Sequence, residues 1–179
     1  MATTPKKPVA RLEVKKTYKL YINGAFPRSE SGRVYEVLTS KGASVANPSL
    51  ASRKDLRDAV VAARAAQSGW AKATAYNRGQ ILYRIAEMLE GRTDQLAIEI
   101  SLATGVTSKK ARDEVLAAID RWVWYAGWSD KLSAAFGSTN PVSGPYYNFT
   151  IPEPQGVIAV APAESFLAFI DAIAPAIVS

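Results

Sequence analysis

Between residues 52 and 132 the sequence carries four consecutive segments in which apolar residues recur every three or four positions. This spacing places those residues on one face of a helix, so it predicts four amphipathic helices in succession. Ser52 and Asp55 fit a capping box at the start of the first helix, and Gly91 can end the second. Thr93 and Ser108 can cap the third and the fourth. A long helical section is therefore the dominant expectation for the fold.

Each predicted helix has one apolar stripe that we expect to face the core. The stripes consist of Leu56, Val60 and Ala63; Ile81, Leu82, Ile85 and Leu89; Leu96, Ile100 and Ala103; and Ala111, Val115, Ile119, Trp122 and Tyr125. The fourth helix is expected to continue to Leu132, and the small, polar residues 133–143 to form a connector.

Short β-rich stretches precede the helical section. YKLYINGAF, residues 18–26, predicts a hairpin because the Asn23-Gly24 dipeptide suits a tight turn with positive φ. VYEVL, residues 34–38, predicts a second short strand. We therefore expect a small β region between the basic N-terminal tail, residues 1–17, and the first helix.

Two further β-rich stretches follow the helices. YYNFTI, residues 146–151, alternates like an exposed strand, and the prolines after it interrupt a ladder of hydrogen bonds. GVIAVA, residues 156–161, predicts a buried strand that leads into an apolar final helix. Glu164 and Ser165 are expected to cap that helix at its N-terminus.

The composition excludes several kinds of chemistry. The chain contains no Cys and no His, which rules out Ser-His-Asp and Cys-His catalysis and zinc sites built on thiolate or imidazole ligands. No metal site is expected. The most apolar stretch, residues 166–178, is too short to span a bilayer and carries Asp171. No signal peptide is evident, so a protein without membrane association, in the cytoplasm, is the expectation.

The net charge of +6 is concentrated at the N-terminus. Residues 1–16 contain five Lys or Arg residues against Glu13 alone. Because the tail has no interleaved aromatic residues and no helical period, we interpret it as solvated and disordered rather than as a nucleic-acid contact. Binding of nucleic acid through this tail stays a minor alternative.

Other charged and aromatic clusters have ordinary explanations. The aromatic group from Trp122 to Trp128 is typical of packing between helices. Solvated helix faces explain six charged residues better than catalysis does: Arg78, Arg84, Glu87, Glu90, Glu99 and Glu114.

The order of several motifs resembles the N-terminal part of the aldehyde dehydrogenase superfamily. YINGAF, SGRVYEV and ANP are similar to the opening strands of that family, and DAVVAARAA followed by Gly69-Trp70 is similar to its first helix. The most specific match is YAGWSDK, residues 125–131, and PQGVI, residues 154–158, resembles a family strand. The resemblance covers residues 18–179.

The resemblance implies an α/β fold: a helical section with short strands and the first β-α step of a Rossmann-type coenzyme domain, beginning at Gly156. It implies NAD or NADP as coenzyme, and it implies contacts to that coenzyme from four residues of the turn after the strand: Ala161, Pro162, Ala163 and Glu164. Glu164 stands where the family usually has the asparagine of its oxyanion hole. An ionised carboxylate would repel the developing negative charge at that position.

The resemblance also suggests what the chain does. The parent reaction would be oxidation of an aldehyde to a carboxylic acid through a cysteine thiohemiacetal and hydride transfer. Since the family's catalytic cysteine and general-base glutamate have no counterpart here, we expect no catalytic residue and no activity from this chain alone. The alternative is a non-catalytic interaction module.

The implied partners are a second copy of the chain or a complete homologue. We expect contact through Tyr146–Ile151, which together with residue 152 resembles the family's oligomerisation strand, and through the final helix. We also expect that helix to leave an apolar face uncovered, which would mark a truncated reading frame, a gene fragment or a part that needs a partner chain.

Overall fold

A computed structural model describes residues 14–39, 41–161 and 165–178. Its elements are, in chain order, strands β1 (Val37–Leu38) and β2 (Ser44–Ala46), helices α1 (Arg53–Lys72), α2 (Ala75–Glu90), α3 (Thr93–Thr104), α4 (Ser108–Trp128) and α5 (Leu132–Phe136), strands β3 (Ser138–Asn140) and β4 (Asn148–Thr150), and helix α6 (Phe166–Val178). The strands form two antiparallel pairs, β1 with β2 and β3 with β4. The helical section therefore dominates the fold, as predicted.

The predicted helix ends are confirmed at Ser52 and at Gly91, which ends α2, but not at the starts of α3 and α4. Ser52 and Asp55 form the predicted capping box of α1, and Gly105 ends α3 in the left-handed conformation at φ 76°. The cap of α4 is Thr107, one residue before the predicted Ser108. The prediction for Thr93 was wrong: it is the first residue of α3, and its hydroxyl donates back to the carbonyl of Glu90 at 2.8 Å. That hydrogen bond makes it unavailable as a cap.

Helices α2, α4 and α6 form the core. The fully or nearly buried residues of this cluster are Leu82, Ala86, Val115, Ala118, Ile119, Trp122, Ile170, Ala174 and Val178. The predicted stripe of α4 is confirmed from Ala111 to Trp122, with Tyr125 half-buried beside it. Each large side chain removed from water in this way contributes roughly 1.5–3 kcal/mol, so this core stabilises the fold substantially.

Helix α1 lies outside this core. Its predicted stripe was wrong, because Leu56 is 64% exposed and the only buried residue of the helix is Asp55. The end of α1 is attached to α6 by the indole of Trp70, whose Nε1 donates to the carbonyl of Ile177 at 2.8 Å. Periodicity finds the apolar face of a helix, but it cannot show whether another element covers that face.

Helix α6 is covered, which contradicts the expectation of an exposed apolar face. Every residue from Phe166 to Val178 is buried or half-buried, and the helix packs on α4 and α2. Arg78, predicted as a surface residue, instead donates through Nε to the carbonyl of Val178 at 3.3 Å and through Nη1 to that of Ala73 at 2.7 Å. A cation at the C-terminal end of a helix also interacts favourably with its dipole.

The β regions agree with the sequence only in part. The Asn23-Gly24 hairpin is confirmed, with φ values of 52° and 74° and paired hydrogen bonds between Ile22 and Ala25. The predicted connector was wrong, because α4 ends at Trp128 and residues 132–140 form α5 and β3. GVIAVA, residues 156–161, is not a strand: no described strand lies beside it to supply the hydrogen bonds of a ladder.

The segment before α1 is joined to that helix by the carboxylate of Asp55. This carboxylate accepts hydrogen bonds from the amide of Ser52 at 2.7 Å, the hydroxyl of Ser29 at 2.8 Å and the amide of Glu30 at 3.2 Å. These donors, the Ser52 amide first, lower the pKa of Asp55 to about 2 although burial acts in the opposite direction. One ionised side chain therefore serves both as a helix cap and as a tertiary anchor.

Replacing Gly79 with alanine should destabilise the fold. An added Cβ would lie 2.5 Å from the hydroxyl oxygen of Ser129 and 3.1 Å from the carbonyl oxygen of Ala126, at the contact between α2 and α4. We expect a loss of about 1–3 kcal/mol in the free energy of unfolding, measured by urea denaturation. The matched control is Gly69→Ala in α1, where the added Cβ meets no atom within 4 Å. That variant should gain about 0.5–1 kcal/mol in the free energy of unfolding from helix propensity. Equal changes in the free energy of unfolding for the two variants would contradict the close contact of α2 with α4 at Gly79.

Replacing Asp55 with asparagine should change how stability depends on pH. Because the pKa of Asp55 is lowered to about 2 in the folded chain, its stabilisation is complete above its ordinary value of 3.8 and is lost as the pH falls through 2. The variant should be less stable than the natural chain at pH 6, and the difference in urea midpoint should shrink between pH 4 and pH 2. Asp58→Asn, which removes an exposed pair with Arg57, should shift the midpoint little at any pH.

Candidate functional site

The predicted β-α step, in which the structure has α6 but no strand, is the candidate site, because the resemblance places the coenzyme beside it. Of the four predicted coenzyme contacts, Ala161 is exposed and lies outside any helix or strand. Pro162, Ala163 and Glu164 lie outside the described residues. The structure therefore leaves the predicted role of Glu164 at the oxyanion position untested. What it does describe are the approach to the turn, residues 156–161, and the helix that follows.

The approach segment borders a shallow groove beside α1. Val157 and Ile158 are 41% and 50% exposed, and they face a space lined also by Gln67, Trp70 and Ile177. Gly156 has a φ of 110°, a conformation that favours glycine, and a Cβ there would lie 3.6 Å from Nε2 of Gln67. The groove is mostly apolar, so it offers few groups that could bind a charged ligand.

Side chains accept hydrogen bonds from two amides in the first turn of α6. The Oγ of Ser165 accepts from the amide of Ala168 at 3.1 Å, which confirms the prediction that Ser165 caps this helix. The carboxylate of Glu114, on α4, accepts from the amide of Leu167 at 3.1 Å. The prediction of Glu114 as a solvated residue was therefore wrong. No sequence signal could have found this contact, since the two residues are 53 positions apart.

This arrangement limits what the start of α6 can bind. Free amides at the N-terminus of a helix are the usual place for a phosphate group. Here the amides of Leu167 and Ala168 are already paired, and one partner is a carboxylate. These two amides are therefore not available to a coenzyme phosphate, and the sequence has no glycine-rich fingerprint that would bind one.

A second link joins α4 to α6 further along both helices. Nε of Arg121 lies 2.8 Å from a carboxylate oxygen of Asp171. This oxygen is shielded from solvent although the rest of the side chain is partly exposed, and the contact lacks the alignment of a good hydrogen bond. We interpret it as an ion pair that adds to the apolar packing of the two helices.

The β3–β4 hairpin presents the most exposed aromatic surface near the end of the chain. Tyr146, Tyr147, Phe149 and Ile151 are between 52% and 77% exposed, and the rings of Tyr147 and Phe149 lie 5.2 Å apart. Asn140 holds the two strands together through its Nδ2, which donates to Asn148 and to Thr150 at 3.0 Å. The predicted strand is thus present as a short one, Asn148–Thr150, and its apolar side chains contact little of the chain.

The aromatic residues of α4 divide between the core and the surface. Trp122 is buried in the core, as its packing role predicts, whereas Trp124 is 52% exposed. Trp124 makes an edge-to-face contact with Tyr125 at 4.8 Å and a tilted contact with Trp128 at 5.4 Å. Because these rings contact one another, they leave no space for a ligand between them.

Within residues 14–39, 41–161 and 165–178, no three acidic side chains come together in a way that could hold a metal ion. In the same part of the chain, no helix has the length and apolar character needed to cross a bilayer.

Comparison with known proteins gives a consistent result. A family model for the aldehyde dehydrogenase family matches residues 26–179. Human mitochondrial 10-formyltetrahydrofolate dehydrogenase is 33% identical over 162 residues, which cover 86% of this chain and 17% of that protein. Human retinal dehydrogenase 2 is 37% identical over 155 residues, which cover 84% of this chain and 29% of that protein.

Solved structures show the same similarity. An aldehyde dehydrogenase from Bacillus cereus matches with a TM-score of 0.73 and 29% identity, over 81% of this chain and 31% of that one. PnpE, solved in complex with nicotinamide adenine dinucleotide, matches with a TM-score of 0.72 and 28% identity, over 76% of this chain and 28% of that one. The chain thus spans less than a third of the length of each of these proteins.

Proposed function

The chain belongs to the aldehyde dehydrogenase family, and from this premise we propose that it forms the first part of the coenzyme-binding domain of an NAD- or NADP-dependent aldehyde dehydrogenase. The observation that carries the proposal is the family match over residues 26–179. The packing of α2, α4 and α6 around one core supports it, because this packing places α6, the helix of the predicted β-α step, on a formed helical core.

The parent reaction in this proposal is oxidation of an aldehyde to a carboxylic acid. In that family a cysteine thiolate forms a thiohemiacetal with the aldehyde, and the coenzyme accepts a hydride. This chain has no cysteine, so it supplies none of the covalent chemistry. Its proposed contribution is structural: it holds the turn at Ala161 and the start of α6 in place for the rest of a coenzyme site.

We propose NAD or NADP as coenzyme of the complete enzyme and only weak affinity for it in this chain alone. A neighbour at 28% identity was solved with nicotinamide adenine dinucleotide, which supports the first part. The second part rests on the first turn of α6, where Glu114 and Ser165 already accept from the amides that a phosphate would use. The cytoplasmic location stays a prediction from the sequence.

The purified chain should show no aldehyde-dependent reduction of NAD or NADP, because the thiol that forms the covalent intermediate is missing. The measurement is absorbance of the reduced coenzyme with a panel of aliphatic and aromatic aldehydes. A complete member of the family, assayed in parallel, is the positive control. A rate that rises with the concentration of the chain and of the aldehyde would contradict the proposal.

A second candidate function is a non-catalytic module that docks on another copy or on a complete homologue. The observation that favours it is the β3–β4 hairpin, with Tyr146 and Tyr147 more than three-quarters exposed. Exposed aromatic residues are common at protein interfaces. The final helix is a weaker candidate for the contact surface, since Ile170, Ala174 and Val178 are buried within the chain.

If the hairpin is a docking surface, the chain should form a discrete complex with a homologue or with itself. Size-exclusion chromatography with light scattering measures the mass of that complex. Replacing both Tyr147 and Phe149 with serine should abolish it without changing the helical circular dichroism, because these side chains contact little else. The matched control is Tyr76→Ser, an equally exposed tyrosine on α2. A monomer at every concentration would rule out the module.

A further inference from the structure

The start of α6 is closed by a carboxylate from another helix. Oε1 of Glu114 accepts from the amide of Leu167 at 3.1 Å in a partly buried groove between the ends of α3, α4 and α6. Ser165 occupies the next amide, that of Ala168, at the same distance. Two of the first-turn donors that a helix normally offers to solvent or to an anion are in this way used within the chain.

A carboxylate is well suited to this position. The N-terminal end of a helix carries a partial positive charge, and a hydrogen bond from an amide to an ionised acceptor is stronger than one to a neutral acceptor. In glycine-rich nucleotide-binding turns the negative charge at this place comes from a phosphate of the ligand. In this chain the negative charge comes from Glu114.

The contact also determines the register between two helices. Glu114 meets Leu167, and Arg121, seven residues further along α4, meets Asp171, four residues further along α6. The two links run in the same direction along both helices. A shift of α6 by one turn would break both links at once, because one turn of a helix is about 5.4 Å.

Other charged groups in the same groove do not share this role. Glu99 lines the groove, and its carboxylate accepts from the side chain of Gln95 at 3.3 Å instead of from a backbone amide. Lys110 also lines the groove and makes no ion pair within the described part of the chain. Among the groove's charged groups described here, Glu114 is the one bonded to α6.

We propose that Glu114 is a positioning residue, a built-in anion that occupies the place of a ligand phosphate at α6 and thereby fixes the start of α6, the helix of the predicted β-α step, on α4. The importance of that step for coenzyme binding rests on the proposed function, whereas the anchoring itself does not. Glu114 acts through the amide of Leu167 and does not contact a reacting group.

The test compares three variants of the full chain, Glu114→Ala, Glu114→Gln and the groove control Glu99→Ala. Hydrogen exchange of the Leu167 amide, followed by NMR, should accelerate at least about tenfold in Glu114→Ala, because a hydrogen bond to a charged acceptor is lost. Glu114→Gln keeps an acceptor without the charge and should give an intermediate rate. Glu99→Ala should behave like the natural chain.

Adding a small anion to the Glu114→Ala variant distinguishes an anion site from a contribution of the side chain to packing. Sodium formate should slow the exchange of the Leu167 amide in Glu114→Ala, because formate can occupy the vacated position. Sodium chloride at the same ionic strength should slow this exchange less. In the natural chain, Leu167 exchange should be the same in the two salts. A purely structural role for the side chain would give no difference between the two salts.

Three results would overturn the proposal: unchanged Leu167 exchange in Glu114→Ala, equal acceleration in Glu99→Ala, or equal effects of formate and chloride. If Glu114→Ala does not fold, Glu114→Gln decides: Leu167 exchange equal to that of the natural chain would show that a neutral acceptor suffices, and the proposal of an anion would fail. None of these measurements involves aldehyde or coenzyme, so their failure is distinguishable from failure of the proposed function.

Discussion

The burial of α6 against α4 and α2 is the interaction on which the rest of the structure depends. Ile170, Ala174 and Val178 pack against residues of the other two helices, and Leu82 and Val115 are completely enclosed. Removing this much apolar surface from water is the main stabilising contribution available to a chain without disulfides. The close approach of α2 and α4 at Gly79 belongs to the same packing, because a larger residue would separate the two helices there.

The polar groups at both ends of α6 are consistent with this packing. At its start, Glu114 and Ser165 accept from backbone amides; at its end, Trp70 and Arg78 donate to backbone carbonyls. A helix end buried without such partners would leave unpaired polar groups, each of which costs free energy. The four contacts therefore pair two amides at the start of this apolar helix and two carbonyls at its end. They also place the start of α6 at a fixed position on the helical core.

Membership of the aldehyde dehydrogenase family gives this arrangement a functional context. At the predicted β-α step, residues 156–161 form no strand and the start of α6 is capped by Ser165, and the sequence has no glycine-rich fingerprint there. The exposed hairpin, by contrast, has apolar side chains that the described part of the chain does not cover. The chain thus combines a packed helical core with β segments whose apolar residues remain on the surface.

The sequence by itself determined the local features. Helical periodicity, the capping box at Ser52, the turn at Asn23-Gly24 and the order of family motifs all depend on residues close together in the chain, so they could be predicted. Tertiary structure decided which apolar faces are covered: α6 is, and the stripe of α1 at Leu56 is not. It also decided the roles of Arg78 and Glu114, whose partners lie 100 and 53 residues away. The physical reason is that the sequence shows whether a residue is apolar or charged, whereas the residue that it contacts is determined only when helices distant in the chain pack together.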